Sequence, residues 1–234
     1  MSDHTPDIPS TPTDASPQEA VDQSRRKLAG VAIGVSAILT LASRPVLAGQ
    51  CVTPSAACSG NLSQHGTPTT CSGKSPGYWK EHPEQWPSPY APGTCSTKND
   101  PNPNGGGGYC NKAENWSEGT LFHPTFALVT NGIGNSFLAD LDGNPISAPT
   151  SLSMMQVMMM NDGNNPWGLS DPANLGMHIV AALLNAKKGY TPILSETDVI
   201  NMWNEWASKG YFEPTANVQW NAAKIVLYIQ GTFS

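Results

Sequence analysis

Apolar residues recur at helical spacing in the C-terminal third of the chain. The first such pattern predicts a helix that is capped by Asp171, has Pro172 at its first position, and ends at Lys187, Lys188 and Gly189. An acidic cap, an early proline, basic side chains in the last turn and a glycine just beyond are common start and stop signals. The stripe that this helix buries is Leu175, Ile179, Ala182, Leu183 and Ala186.

Further helices are predicted on both sides of this one. Ser153 to Met160 is a run of good helix formers, and Ser195 with Asp198 starts another helix that ends at Lys209 and Gly210. The apolar side of the latter carries Val199, Trp203 and Trp206. A last helix, stopped by Gly231, is lined by Val218, Ala222, Ile225, Val226 and Ile229. Because such faces are hidden only against one another, the predicted fold class is mainly α, a small antiparallel helical cluster.

The segment before these helices is apolar but lacks a clear period. Residues 114–141 fit either a short helix or two strands, and residues 140–144 followed by Pro145 predict a turn. Residues 113–234 as a whole are therefore assigned to a mostly helical region. Residues 49–112 are rich in Pro, Gly, Ser and Thr and predict an irregular, disulfide-stapled region.

The amino-terminal residues have the pattern of an export signal. Residues 1–23 are polar and predict a disordered n-region. Arg25 and Arg26 then precede sixteen uncharged, mostly apolar residues, and Val46 and Ala48 occupy the small-residue positions of a cleavage site. The arginine pair resembles a twin-arginine signal. The alternative is a membrane anchor, but a spanning helix needs about 20 apolar residues. Residues 24–48 are therefore predicted to be an export signal that is removed by cleavage. We expect the remaining chain to have no membrane span and to be periplasmic or extracellular.

The charge of the remaining chain argues against nucleic acid as a partner. After residue 48 there are eight lysines, no arginine and thirteen acidic residues, a net charge of −5. Nucleic-acid binding normally requires a basic stripe, and arginine is the usual ligand for phosphate. The chain has neither.

All five cysteines lie in the first third of the predicted mature chain, at Cys51, Cys58, Cys71, Cys95 and Cys110. In an exported protein this distribution predicts two disulfides and one spare thiol, with a pairing that the sequence leaves open. A zinc site is the alternative, but no C-x-x-C pair occurs. A twin-arginine route carries proteins folded in a reducing compartment, so the bridges would have to close after export.

The densest concentration of chemically active side chains is the aromatic segment, Cys71 to Trp86, which contains Gly-Tyr-Trp-Lys. About ninety residues later the chain has Ala-Ala-Leu-Leu-Asn-Ala, ending at Ala186. The two motifs in this order resemble a loose group of secreted bacterial proteins. The resemblance implies an extracytoplasmic domain and no particular activity. In that group the helix before the second motif is usually rich in leucine, where this chain has methionines.

The aromatic segment suggests a binding face. Flat rings stack on sugars or bases, and basic, imidazole and carboxylate groups provide polar contacts. The candidate binding residues are Tyr78, Trp79, Lys80, His82, Glu84 and Trp86. The competing interpretation, which the scarcity of other core residues favours, is that Trp79 and Trp86 pack this segment onto the helices.

Catalysis has weaker support. Glu81, His82, Glu84 and His123 include a potential general acid and base, but no nucleophile or metalloprotease motif accompanies them. We therefore expect a binding or structural protein of the periplasm or cell surface whose ligand the sequence does not identify, with a glycan or cell-surface polymer as the candidate. A hydrolase of extracellular polymer is the alternative.

Metal binding is the remaining alternative, and no cofactor is expected. Thioethers bind Cu(I), but methionine also serves as adaptable core filler, which is the favoured interpretation here. The residues concerned are Met154, Met155, Met158, Met159, Met160 and Met177, with His178. Asp140, Asp142 and Asn144 begin like a calcium loop whose later ligands are missing, so a plain turn is expected.

Overall fold

The computed structural model describes residues 51–59, 69–96, 109–130, 152–161, 171 and 173–234. These residues all fall within one unit, Val46–Ser234. The predicted n-region, export signal and calcium-like turn lie outside the described residues, as does Pro172.

Six α-helices and two small sheets make up the regular structure of the described ranges. The helices are α1 (Pro54–Ser59), α2 (Pro76–Glu81), α3 (Met154–Met158), α4 (Leu175–Lys188), α5 (Glu196–Lys209) and α6 (Ala222–Gln230). The strands are β1 (Thr94–Cys95), β2 (Trp116–Ser117), β3 (Phe212–Thr215) and β4 (Val218–Trp220), and short 3-10 turns span Pro83–Gln85, Tyr109–Asn111 and Ala113–Asn115. Helices α3 to α6 are called the helical body below. The fold is therefore mixed, and the prediction of a mainly α protein is only partly right.

Helix α4 is the central element. It contacts α2, α3, α5 and α6, and its apolar residues are buried on more than the predicted stripe, with Val180, Ala181 and Leu184 fully enclosed. A helix that is hydrophobic around most of its circumference is expected inside a core rather than on its surface. Gly189, at φ +72°, ends it as predicted.

The start of α4 differs from the prediction. The helix begins at Leu175, three residues after Pro172. Asp171 nevertheless caps the first turn, because its carboxylate accepts hydrogen bonds from the backbone N–H of Leu175 at 2.7 Å and of Met177 at 3.3 Å. The capping interaction was thus predicted correctly and the first helical residue was not.

The other helices begin with side-chain caps. Ser153 and Gln156 form a reciprocal capping box at α3, and Ser195 and Asp198 do the same at α5. Helix α6 begins at Ala222, where the Asn221 side chain accepts from the backbone N–H of Lys224. Val218, predicted to line this helix, instead starts β4.

Strands β3 and β4 form an antiparallel hairpin between α5 and α6 that the sequence interpretation missed. Asn217 turns the chain at φ +64°, and its backbone N–H donates to Glu213 at 2.7 Å. Asparagine tolerates the left-handed conformation better than other non-glycine residues, which explains its position. A second small sheet pairs β1 with β2.

The core combines the helices with aromatic residues from the preceding region. Phe122 and Phe126 are fully buried, and their ring centroids lie 5.0 and 5.9 Å from that of Trp203 on α5. Of the segment predicted as a short helix or two strands, residues 114–130 form a 3-10 turn, β2 and further turns, and residues 131–141 lie outside the described residues. In the described ranges no helix has both the length and the hydrophobicity needed to cross a bilayer.

Candidate functional site

Helix α2 is formed by local signals within the aromatic segment. The Ser75 hydroxyl accepts a hydrogen bond from the backbone N–H of Tyr78, and Pro76 occupies the first helical position. The helix ends at His82, whose backbone N–H donates to the Tyr78 carbonyl at 2.9 Å, and Pro83 prevents its continuation. The result is a single short helix with one buried and one exposed side.

The buried side of α2 carries Trp79. Its ring is fully enclosed, and its indole N–H donates to the Asn185 side-chain oxygen of α4 at 3.2 Å. Asn185 is itself fully buried. An indole N–H and an amide removed from water need partners, since each unsatisfied group costs about 1–3 kcal/mol. The pair therefore joins the Gly-Tyr-Trp-Lys segment to the Ala-Ala-Leu-Leu-Asn-Ala helix.

Asn185 also binds the backbone of the aromatic segment. Its side-chain oxygen accepts from the Lys74 N–H at 2.8 Å, and its side-chain nitrogen donates to the Lys74 carbonyl at 2.8 Å. The Asn185 side-chain amide thus pairs with both the N–H and the carbonyl of Lys74, as a residue of a neighbouring strand would. With the Trp79 bond, three hydrogen bonds converge on one buried side chain.

Gly73 lies where the segment approaches the carboxyl end of the chain. Its N–H donates to the Thr232 carbonyl at 3.2 Å, and its carbonyl accepts from the Ser234 N–H at 2.9 Å. A Cβ at position 73 would lie 2.7 Å from the Thr232 carbonyl oxygen. Glycine is required here by space, whereas Gly77 has no neighbour closer than 3.7 Å to its ideal Cβ.

Trp86 is the last residue of the aromatic segment. It is only 8% exposed, and its indole N–H donates to the Trp79 carbonyl at 2.9 Å. Neither tryptophan presents a ring face to solvent, so the stacking platform envisaged for them in the binding-face hypothesis is not available. Their placement is that of the competing interpretation, in which both rings pack the segment onto the helices.

Four neighbouring polar and aromatic residues on α2 and just beyond its two ends are partly or largely exposed. They are called here the α2 surface cluster: Lys74, Tyr78, His82 and Glu84. The Tyr78 and His82 rings lie 4.5 Å apart, the Lys74 ammonium is 5.8 Å from the Tyr78 ring centroid, and the His82 imidazole is 3.3 Å from the Glu84 carboxylate. The His82 and Glu84 side chains are 45% and 62% exposed. The cluster offers both hydrogen-bond donors and acceptors beside a ring.

The predicted acid–base residues are not gathered in one place. Glu81 is exposed on α2, and Glu84 lies beside His82, where a hydrogen bond from its own backbone and the nearby imidazole lower its carboxyl pKa. His123 is buried against Phe122, and one ring nitrogen bonds the Phe126 carbonyl. Burial lowers the pKa of His123, which favours its neutral form.

No metal centre is evident in the part of the chain that the structure describes, where no group of three or more His, Cys, Asp or Glu residues is placed to hold an ion. The five methionines from Met154 to Met160 are all buried in the core. His178 is hydrogen-bonded to the Asn174 carbonyl at 2.7 Å and approaches the Gln230 amide at 3.2 Å.

Lys80, another of the candidate binding residues, is half-buried on α2.

The five cysteines form two disulfides and one free thiol, as predicted. Cys51 pairs with Cys71 and Cys95 pairs with Cys110, which settles the pairing that the sequence left open. Cys58 is free and half-buried, and burial raises the pKa of its thiol despite a hydrogen bond from Trp220.

Asn185 and Gly73 were missed as determinants of the site. Asn185 carried a signal, since it is the one polar residue in the apolar run from Ile179 to Ala186. A polar residue in such a run is expected to have a specific partner.

Comparison with known proteins adds no relative: no protein-family model, curated protein or solved structure matches the chain.

Proposed function

We propose that this chain is an exported protein of the bacterial periplasm or cell surface, and that it binds a glycan or other cell-surface polymer through the α2 surface cluster. Export is supported by the signal-like pattern of residues 24–48, by the resemblance of two motifs to secreted proteins, and by the two disulfides. The helices of the body are proposed to pack as a small antiparallel cluster, since α4 contacts α3, α5 and α6.

The observation that carries the binding proposal is the division of α2 into two sides. Trp79 and Asn185 hold its inner side in the core, while the α2 surface cluster is partly open to solvent next to them, with the Tyr78 ring 5.3 Å from that of Trp79. Because the backbone of α2 is already held in place, binding a ligand there costs less conformational entropy. The cluster has one lysine, one glutamate and one histidine, which suits the paired donors and acceptors of carbohydrate hydroxyls better than a polyanion.

Sedimentation with insoluble polymer tests the binding proposal. Purified protein is mixed with cell-wall polysaccharide, and the bound fraction of wild type is compared with that of Tyr78→Ala and His82→Ala. We expect both variants to lose at least tenfold in affinity while they remain folded. The matched control is Tyr211→Ala, since Lys209 lies 5.9 Å from the Tyr211 ring centroid in a similar pair. Equal binding by all four proteins would contradict the proposal.

A hydrolase remains the alternative because His82 and Glu84 are in contact. The same polymer, incubated with wild type and with Glu84→Gln, distinguishes the two functions through the release of soluble sugar. Binding without release supports the proposed function, whereas release that Glu84→Gln abolishes supports the hydrolase. Elemental analysis of the protein purified without chelator tests the metal-binding alternative.

A further inference from the structure

Both disulfides are local in the sequence. Cys51 and Cys71 are separated by 20 positions, and Cys95 and Cys110 by 15. Helix α1 is the only helix of the described residues that lies within either loop, and both bridges end before the helical body begins. Neither bridge therefore links the aromatic segment covalently to the helices against which it packs.

Hydrogen bonds hold the aromatic segment instead, and they come from three separate places. Asn185 on α4 pairs with Lys74, the Tyr190 carbonyl after α4 accepts from the Ser72 N–H at 2.9 Å, and the residues after α6 pair with Gly73. None of these contacts involves a sulfur atom. All of these hydrogen-bond partners of Ser72, Gly73 and Lys74 lie outside the two disulfide loops.

Burial adds a second contribution that is independent of sulfur. Trp79 is fully enclosed and Trp86 nearly so, in the same core as α3, α4 and α5. Enclosing a large aromatic side chain is among the strongest stabilising contributions that a single residue makes. In the described part of the Cys51–Cys71 loop, one contact with the body is the hydrogen bond that the Tyr228 hydroxyl donates to the Val52 carbonyl at 2.8 Å.

We infer that the helical body folds with the aromatic segment in place while all five thiols are reduced, and that oxidation follows and fixes two local loops. Each bridge forms by exchange with a disulfide oxidant. Two thiols of this chain lose two protons and two electrons, and the oxidant's disulfide becomes two thiols. The inference extends the proposed export, because a chain that folds before oxidation is compatible with a twin-arginine signal.

The full-length chain, purified under a phosphine reductant, tests this inference. We expect the near-ultraviolet circular dichroism of the buried tryptophans to persist and thermal unfolding to remain a single cooperative transition. The melting temperature should fall by about 10–25 °C relative to the oxidised chain, since each bridge restricts the unfolded state. Adding oxidised glutathione to the folded, reduced chain should then form Cys51–Cys71 and Cys95–Cys110, as peptide mapping would show.

Two results would overturn the inference. One is a reduced chain that is aggregated or lacks the tertiary dichroism signal, which would mean that the bridges are needed for the body to fold. The other is a folded, reduced chain whose oxidation pairs Cys58 with another cysteine, which would mean that the reduced fold differs near the sulfurs. Either failure is distinct from failure of the proposed function, which is read from polymer binding and cell fractionation.

Discussion

The indole N–H of Trp79 donates to the side-chain oxygen of Asn185 at 3.2 Å, across 106 positions of sequence and inside the core. The same amide pairs with the Lys74 backbone. This contact explains why two motifs occur together in the chain: each supplies the partner that the other needs when water is removed. The following predictions test it and its surroundings.

Replacing Asn185 should destabilise the protein more than any exposed asparagine does. Asn185→Ala leaves the Trp79 indole N–H and both polar groups of Lys74 without their partner, and each loss of a buried partner costs about 1–3 kcal/mol. We expect the free energy of unfolding to fall by about 3–5 kcal/mol, measured by urea denaturation. Asn201→Ala, at an exposed position of α5, is the control and should change stability by less than about 0.5 kcal/mol.

The two glycines of the aromatic segment should respond in opposite directions. Gly73→Ala places a Cβ 2.7 Å from the Thr232 carbonyl oxygen, and relieving such overlap costs about 1–3 kcal/mol. Gly77→Ala adds a methyl with room around it inside α2, and alanine is favoured over glycine in a helix by about 0.5–1 kcal/mol. A melting temperature that is lowered by Gly77→Ala as much as by Gly73→Ala would contradict this packing.

Asp171 should make stability depend on pH. Burial raises its carboxyl pKa to about 6, although hydrogen bonds from the backbone of Met177 and Leu175 oppose the shift. Because the folded chain then holds a proton that the unfolded chain has released, this residue's contribution falls as pH rises from about 4 to about 6, by at most about 3 kcal/mol.

Asp171→Asn isolates that contribution. Burial lowers the pKa of His123 and His178, so their contributions change in the opposite direction as pH falls below 6.5. The difference in unfolding free energy between Asp171→Asn and wild type cancels these terms. We expect the variant to gain stability relative to wild type between pH 4 and pH 7, and a difference that stays constant with pH would refute the assignment.

Cysteine titration tests the bridges directly. The denatured, oxidised chain should contain one reactive thiol, Cys58. In the native chain this thiol should react more slowly than a free cysteine at pH 8, because it is half-buried and its pKa is raised. A count of three or five thiols in the denatured chain would show that one or both bridges do not form.

Helix positions could be predicted because their signals are local. Capping residues such as Ser153 and Ser195, and glycines such as Gly189 and Gly210, act within one turn of the chain. The disulfide count followed from composition in the same way. The hairpin of β3 and β4 was missed because Val218 fits both a helical stripe and a short strand, and tertiary packing decides between them.

The candidate site depended on information that local patterns do not contain. The sequence identified the aromatic segment, but which side of α2 faces the core is decided by Asn185, more than one hundred positions away. The sequence also left open what the two disulfides hold together. Both close local loops, and the aromatic segment is held on the helices by buried hydrogen bonds and tryptophan rings.

Hydrogen exchange at the Trp79 indole N–H, followed by NMR, tests this division of roles most directly. The measurement compares wild type, the wild type with both disulfides reduced, and oxidised Asn185→Ala. The structure predicts that the indole proton stays protected after reduction and loses protection in Asn185→Ala although both bridges are intact. Protection that survives Asn185→Ala but disappears on reduction would show that sulfur, and not the Asn185 amide, holds the aromatic segment in place.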